Sequence, residues 1–240
     1  PATGASALHL SLAHAPQLQV PGAAAVPLAL LHGALLAWLA LEGPTPRARL
    51  AALLWPQSEP EAARNSLRQR LFRLRRHGGV SLLLSGTTLA LAEAVTHDLV
   101  DADSVLGDEA LAIGAEFDAW LAQQRLRRSG RLQQQLRELC EGAEAAADWP
   151  DALGLAQELL ALAPTSEDAH RRLMRLHYLA GDRSAALLAF DACERLLKNE
   201  VGARPSPATL ALLATIEQAQ PPLVRLPAAR RVPASVLRPP

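Results

Sequence analysis

The chain has 240 residues, half of them hydrophobic, and its 24 basic side chains balance 24 acidic ones. That length can bury one or two ordinary cores, and with four Trp, three Phe and one Tyr in all, those cores must be mostly Leu, Ala and Val. No apolar run approaches the roughly 20 residues of a membrane span, and the N-terminus lacks the basic segment of an export signal. Cys140 and Cys193 show no CxxC spacing, so a disulfide scaffold or thiolate metal site is not expected, and a cytoplasmic location is. Because the chain starts at Pro1 and holds one methionine, Met174, it is expected to be a piece of a longer protein.

The opening stretch, ALHLSLAHAPQLQVPGAAAVPLA, alternates Leu8, Leu10 and Leu12 with polar or small residues. It breaks at Pro16 and resumes with Leu18 and Val20. This period of two predicts two or three short antiparallel strands. The apolar run 28–41, LALLHGALLAWLAL, predicts a buried helix. In TPRARLAALLWP, Thr45 reads as an N-cap with Pro46 at the first helical position, and Leu50, Leu53 and Leu54 supply an apolar stripe. Ser58 and Glu61 read as a capping box that starts the next helix, which Gly78-Gly79 would end. VSLLL and TLALA around Ser85-Gly86-Thr87 predict a hairpin.

Beyond Asp98 the pattern is helical throughout, with helices expected near 98–106, 115–128, 131–147, 150–163, 166–180, 183–199 and 207–218. DWPDALGLAQELL from Asp148 and DRSAALLAFDACE from Asp182 repeat at a spacing of 34, the period of helix-pair tetratricopeptide repeats. The last twenty residues hold six prolines and read as a linker. The expected organisation is therefore 1–97, an α+β domain of strands, three helices and a hairpin; 98–219, an all-α tetratricopeptide-like repeat domain; and 220–240, a proline-rich linker.

The neutral total hides a division. Residues 1–97 carry 8 basic and 4 acidic groups, a balance of +4, whereas 98–220 carry 12 and 20, a balance of −8. The excess in the first segment points to an anionic partner, and most of it sits in EAARNSLRQRLFRLRR. On a helical wheel of 100° per residue, Leu67, Leu71 and Leu74 fall within about 60° of one another. Asn65, Gln69, Arg73 and Arg76 fall opposite, with Phe72 near their edge. Arg68 and Arg75 lie on one flank, and Arg64 and Arg70 nearer the core face. Solvated helices usually alternate charge so that i, i+4 pairs form; here nothing after Glu61 answers the arginines. Amide side chains match adenine's major-groove edge, and arginine matches guanine or phosphate. A capped helix, a short link, this helix and a hairpin give the order of a winged helix-turn-helix, with the arginine helix in the recognition position.

TPRARLAALLWPQSEPEAARNSLRQRLFRLRR strongly resembles the DNA-binding half of bacterial regulators that join an OmpR-type winged helix to a bacterial transcriptional activator domain, the antibiotic-regulatory (SARP-like) activators. AHRRLMRLHYLAGDRSAALLAFDACERLL and VGARPSP resemble their second domain. The resemblance covers nearly all of residues 8–218. It implies double-stranded promoter DNA as target, direct-repeat sites occupied by a homodimer, and contact with RNA polymerase. It places Arg64, Asn65, Arg68, Gln69, Arg73 and Arg76 on the DNA-facing helix, and Arg47 and Arg49 near the phosphate-contacting end of the preceding one. Larger members continue from such a proline-rich tail into an ATPase domain, so the tail is expected to be that junction. Two departures are visible: VPLALLHG lacks the basic residues that relatives place before the first helix, and the hairpin has no arginine or lysine. Wing contact in the minor groove is therefore not expected, and affinity per monomer should be modest.

No enzyme is expected. The chain has no phosphate loop with lysine, no HExxH and no nucleophile elbow. His170 and His177 lie about 10.5 Å apart along a helix axis, too far for one metal, and His97-Asp98 reads as a helix start rather than a catalytic pair. The four tryptophans read as core. No cofactor or metal is called for. The rival from another class is an adaptor whose acidic repeats bind a basic partner and whose first domain never touches DNA.

Overall fold

A computed structural model describes residues 8–76 and 82–218; the expected Gly78-Gly79 helix stop and the proline-rich tail lie outside these. The described chain forms two compact units that divide between Leu132 and Gln133.

The first unit opens with the predicted strands: β1 (Leu8–Ser11), β2 (Gln17–Gln19) and β3 (Val26–Pro27), paired antiparallel in sequence. Leu8, Leu10 and Leu18 turn inward, as a half-buried sheet requires. Across β1 from β2 lies a strand the alternation did not predict, β7 (Val95–His97), parallel to β1 in the register Leu8↔Val95. Asp98 follows it. Its carboxylate accepts from the backbone N–H of Leu12 at 2.7 Å and of Ala13 at 3.2 Å, so it secures the chain just past β1.

Helix α1 (Leu30–Glu42) buries every residue from His32 to Leu39, which fits an apolar run without a polar face. It passes so close to the turn at Pro16 that a Cβ on Gly33 would lie 2.3 Å from the proline ring. Thr45 does not cap the next helix. It pairs in β4 (Thr45–Pro46) with Leu89, and its buried hydroxyl accepts from Trp38 Nε1 at 3.1 Å and donates to the Gly43 carbonyl at 3.0 Å. Helix α2 (Arg47–Leu54) starts only after Pro46. Likewise α3 (Pro60–Arg76) takes Pro60 as its first residue, so the start lies one residue later than a Ser58 cap would set it.

The hairpin appears where expected: β5 (Leu83–Ser85) and β6 (Thr88–Leu91), in the register Ser85↔Leu89. The helix expected over 98–106 does not form beyond a single 3-10 turn, Asp98–Val100. Its end is drawn elsewhere: the Leu106 N–H bonds the Leu12 carbonyl, and the N–H of the next residue, Gly107, that of Ala13, both at 2.8 Å. Both residues adopt positive φ. Arg125 locks the segment, donating to the carbonyls of Val105, Leu106 and Glu109 at 3.0–3.2 Å. The segments 115–128 and 131–147, read as two helices, form one, α4 (Ala115–Ala145). Gly130 meets nothing within 4 Å and weakens the helix without breaking it.

The second unit is helical: the end of α4, then α5 (Trp149–Leu162), α6 (Glu167–Leu179), α7 (Arg183–Leu196) and α8 (Pro207–Gln218). The repeat at spacing 34 is realised atom for atom at its helix starts. Asp148 caps α5 by accepting from Asp151 N, and Asp182 caps α7 by accepting from Ala185 N. Ala152 and Ala186 are both fully buried, as are Ala156 and, nearly so, Phe190. Glu167 ties α6 to the start of α8, accepting from Ser206 N, Ser206 Oγ and Thr209 Oγ1 at 2.6–2.9 Å. These hydrogen bonds hold its carboxyl below the usual carboxylate range.

Candidate nucleic-acid interface

Helix α3 sorts its side chains sharply. Ala63, Leu67, Leu71 and Leu74 are 1–6 % exposed, so the leucine seam is its packed face. Asn65, Arg64, Arg68, Gln69, Phe72 and Arg73 are exposed, and Arg70 is intermediate. Burying the seam fixes the helix's rotation, and with it the outward direction of the amides and guanidinium groups. Arg76 is the last residue of the helix.

The charge on this face is uncompensated. Among the described residues, no acid forms an ion pair with Arg64, Arg68, Arg70 or Arg73. Several arginines elsewhere are engaged: Arg172 and Arg175 on α6 bond Glu141 and Glu144, and Arg125 and the buried Arg128 bond backbone carbonyls. Guanidinium groups left bare on one helix face present a cationic, donor-rich surface at modest folding cost, because water solvates them.

Arg47 and Arg49 stand in the first turn of α2, where free N–H groups and the helix dipole favour an anion. Their states differ. Arg47 is half-buried, and its backbone N–H donates to the Thr87 carbonyl. Arg49 is held by Glu116, donating Nη1 to Oε2 at 2.9 Å and Nη2 to Oε1. The pairing pushes the Arg49 pKa up and holds the Glu116 carboxyl below its ordinary value. A phosphate would have to displace Glu116, a competition the sequence did not reveal. Between α2 and α3 runs a groove lined by Ala51, Trp55, Pro60, Ala63 and Arg64. A second, open hollow lies on the outer side of α3, lined by Arg68, Gln69, Phe72 and Arg73.

The residues weighed for other chemistry have structural work. The four tryptophans pack into the two cores, Trp38 and Trp120 with ring centroids 4.8 Å apart. His97 is next to a carboxylate already used by the backbone, and burial pushes its imidazole pKa down. His170 is buried with Nε2 at 2.9 Å from the Pro164 carbonyl. Among the described residues no group of His, Cys, Asp and Glu could hold a metal ion, and no helix is long and apolar enough to cross a membrane.

Comparison with known proteins bears on both units. Residues 104–217 match the family model of the bacterial transcriptional activator domain. The fold is similar to that of Mycobacterium tuberculosis EmbR, solved in complex with a low affinity phosphopeptide. The TM-score is 0.53 at 19 % identity, over 89 % of this chain and 66 % of EmbR, so the chain spans just under two thirds of that protein's length. No curated protein is matched. Residues 104–217 are thus similar to the bacterial transcriptional activator domain, and the fold of the chain is similar to that of a protein solved with a phosphopeptide.

Proposed function

We propose that this chain is a transcription regulator, probing double-stranded promoter DNA in a sequence-specific way by laying α3 in the major groove. The observation that carries the reading is the outward face of α3: Asn65 and Gln69 exposed between unpaired Arg64, Arg68 and Arg73, opposite a fully packed leucine seam. In this role α2, α3 and the β5–β6 hairpin act as a winged helix-turn-helix, with residues 1–97 as the DNA-binding domain. Asn65 and Gln69 read base edges, while the arginines, with Arg76 at the helix end, grip phosphate or guanine. Arg47 adds a phosphate contact at the α2 N-terminus, and Arg49 joins once released from Glu116. The hairpin residues Gly86, Thr87 and Thr88 are exposed but uncharged, so the wing adds little electrostatic grip and two copies on a direct repeat share the task.

Residues 98–219 then serve as a tetratricopeptide-like activation module toward RNA polymerase, residues 220–240 as a linker, and the chain works in the cytoplasm without catalysis or cofactor. The test is selection of bound duplexes from a randomised pool, followed by sequencing. Enrichment of a repeated motif, and loss of preference at particular base pairs in Gln69→Ala, supports the reading. A chain that retains no duplex at about 50 mM salt, where electrostatic binding is strong, is an adaptor rather than a DNA reader.

A further inference from the structure

Phe72 is 64 % exposed, and its place on α3 gives that exposure a use. It lies two residues from Leu74, which is 1 % exposed, so the helix turns the larger apolar side chain to water while packing the smaller one. Nothing in the core of the first unit takes up the ring. Phe72 instead shares the open hollow on the outer side of α3 with Arg68, Gln69 and Arg73. An aromatic ring set among bare guanidinium groups is poorly placed for a protein partner with an apolar surface, because docking there would bury unpaired charge. It is well placed for a polyanion that also offers one small apolar group.

The major groove of duplex DNA offers that combination. Its walls are phosphates, its base faces are stacked out of reach, and the apolar group on its floor is the C5-methyl of thymine. We infer that Phe72 is a specificity residue that packs on a thymine methyl, adjacent to the base read by Gln69; this rests on the DNA-binding function proposed above. The spacing supports adjacency. Gln69 and Phe72 are three residues apart, neighbours on one helix face and about 4.5 Å apart along the axis, against a base step of about 3.4 Å. The thymine therefore falls one step from Gln69's base, on the side away from Asn65.

The experiment uses the duplex recovered from the randomised pool, with each thymine replaced in turn by deoxyuridine, which lacks only the methyl. Wild-type protein should lose roughly fourfold in affinity at one thymine beside the Gln69 base pair, the worth of one buried methyl. Phe72→Ala should bind the parent duplex more weakly and lose nothing further at that thymine, while Phe72→Leu, still apolar, should keep part of the discrimination. Equal losses in wild type and Phe72→Ala at every thymine, or a selected site with no thymine beside the Gln69 position, overturns the inference while leaving DNA binding intact. Failure of wild-type protein to enrich any duplex overturns both.

Discussion

Leu74→Ala and Phe72→Ala, two truncations on one helix, should differ severalfold in their cost to folding, with the smaller side chain costing more. Leu74 is 1 % exposed in the seam of α3 and Phe72 is 64 % exposed on the opposite side. Deleting a fully buried leucine costs about 3 kcal/mol, from lost transfer energy plus an unfilled cavity. Phe72 has about a third of its surface covered, so its truncation forfeits at most about 1 kcal/mol. For a unit of this size each kilocalorie is worth roughly 3–4 °C in Tm. Leu74→Ala should therefore lower the first unit's transition by about 10 °C and Phe72→Ala by about 3 °C or less. Urea titration followed by tryptophan fluorescence reports the same order, since Trp38, Trp55 and Trp120 all pack in that core. Equal losses, or a larger one at Phe72, would mean that α3 is rotated otherwise and that its arginines do not face outward.

Further outcomes follow from single contacts. Gly33→Ala should destabilise the first unit by about 1–3 kcal/mol, because the added methyl meets the rigid ring of Pro16 in a packed core; thermal melting checks it. Glu167 has its folded pKa lowered by the hydroxyls and N–H it accepts from. Its contribution is thus present above the unfolded carboxylate pKa of about 4.3 and is lost as pH falls through the depressed folded value. Urea midpoints measured for the second unit between pH 7 and pH 3 should fall for the wild type more than for Glu167→Gln, which starts lower at pH 7. Cys140 and Cys193 are both free and buried, and burial pushes the Cys193 thiol up to about 11. Neither should react with a thiol reagent in the native protein at pH 8, and both should react in urea.

What the sequence showed plainly was local. The period of the leucines set the packed face of α3, the fourteen-residue apolar run marked α1, and the echo at a spacing of 34 fell on two helices, α5 and α7. What it hid depended on contacts far along the chain. Three residues, Val95–His97, carry too little pattern to announce a strand, and their partner lies more than eighty positions away. Asp98 reads as a helix start and begins only a 3-10 turn, its carboxylate drawn to the N–H groups of Leu12 and Ala13. The 98–106 segment reads as a helix, yet its end is claimed by distant partners: Arg125 holds the carbonyls of Val105 and Leu106, and the Leu106 N–H goes to the Leu12 carbonyl. At the candidate interface the arginine face was legible because its spacing is intrinsic to one helix. The restraint of Arg49 was not, since Glu116 is 67 residues on.

The central claim is that α3 presents its bare arginines to phosphate, and duplex affinity measured against salt tests it most directly. Arg64, Arg68 and Arg73 are exposed and unpaired, and Arg47 and Arg76 raise the number of neutralised phosphates to about five. Log affinity should then fall against log salt with a slope between about −3 and −4.5, shallower by about 1 in Arg68→Ala. A slope near zero, or one unchanged when Arg64, Arg68 and Arg73 are replaced together, would contradict it.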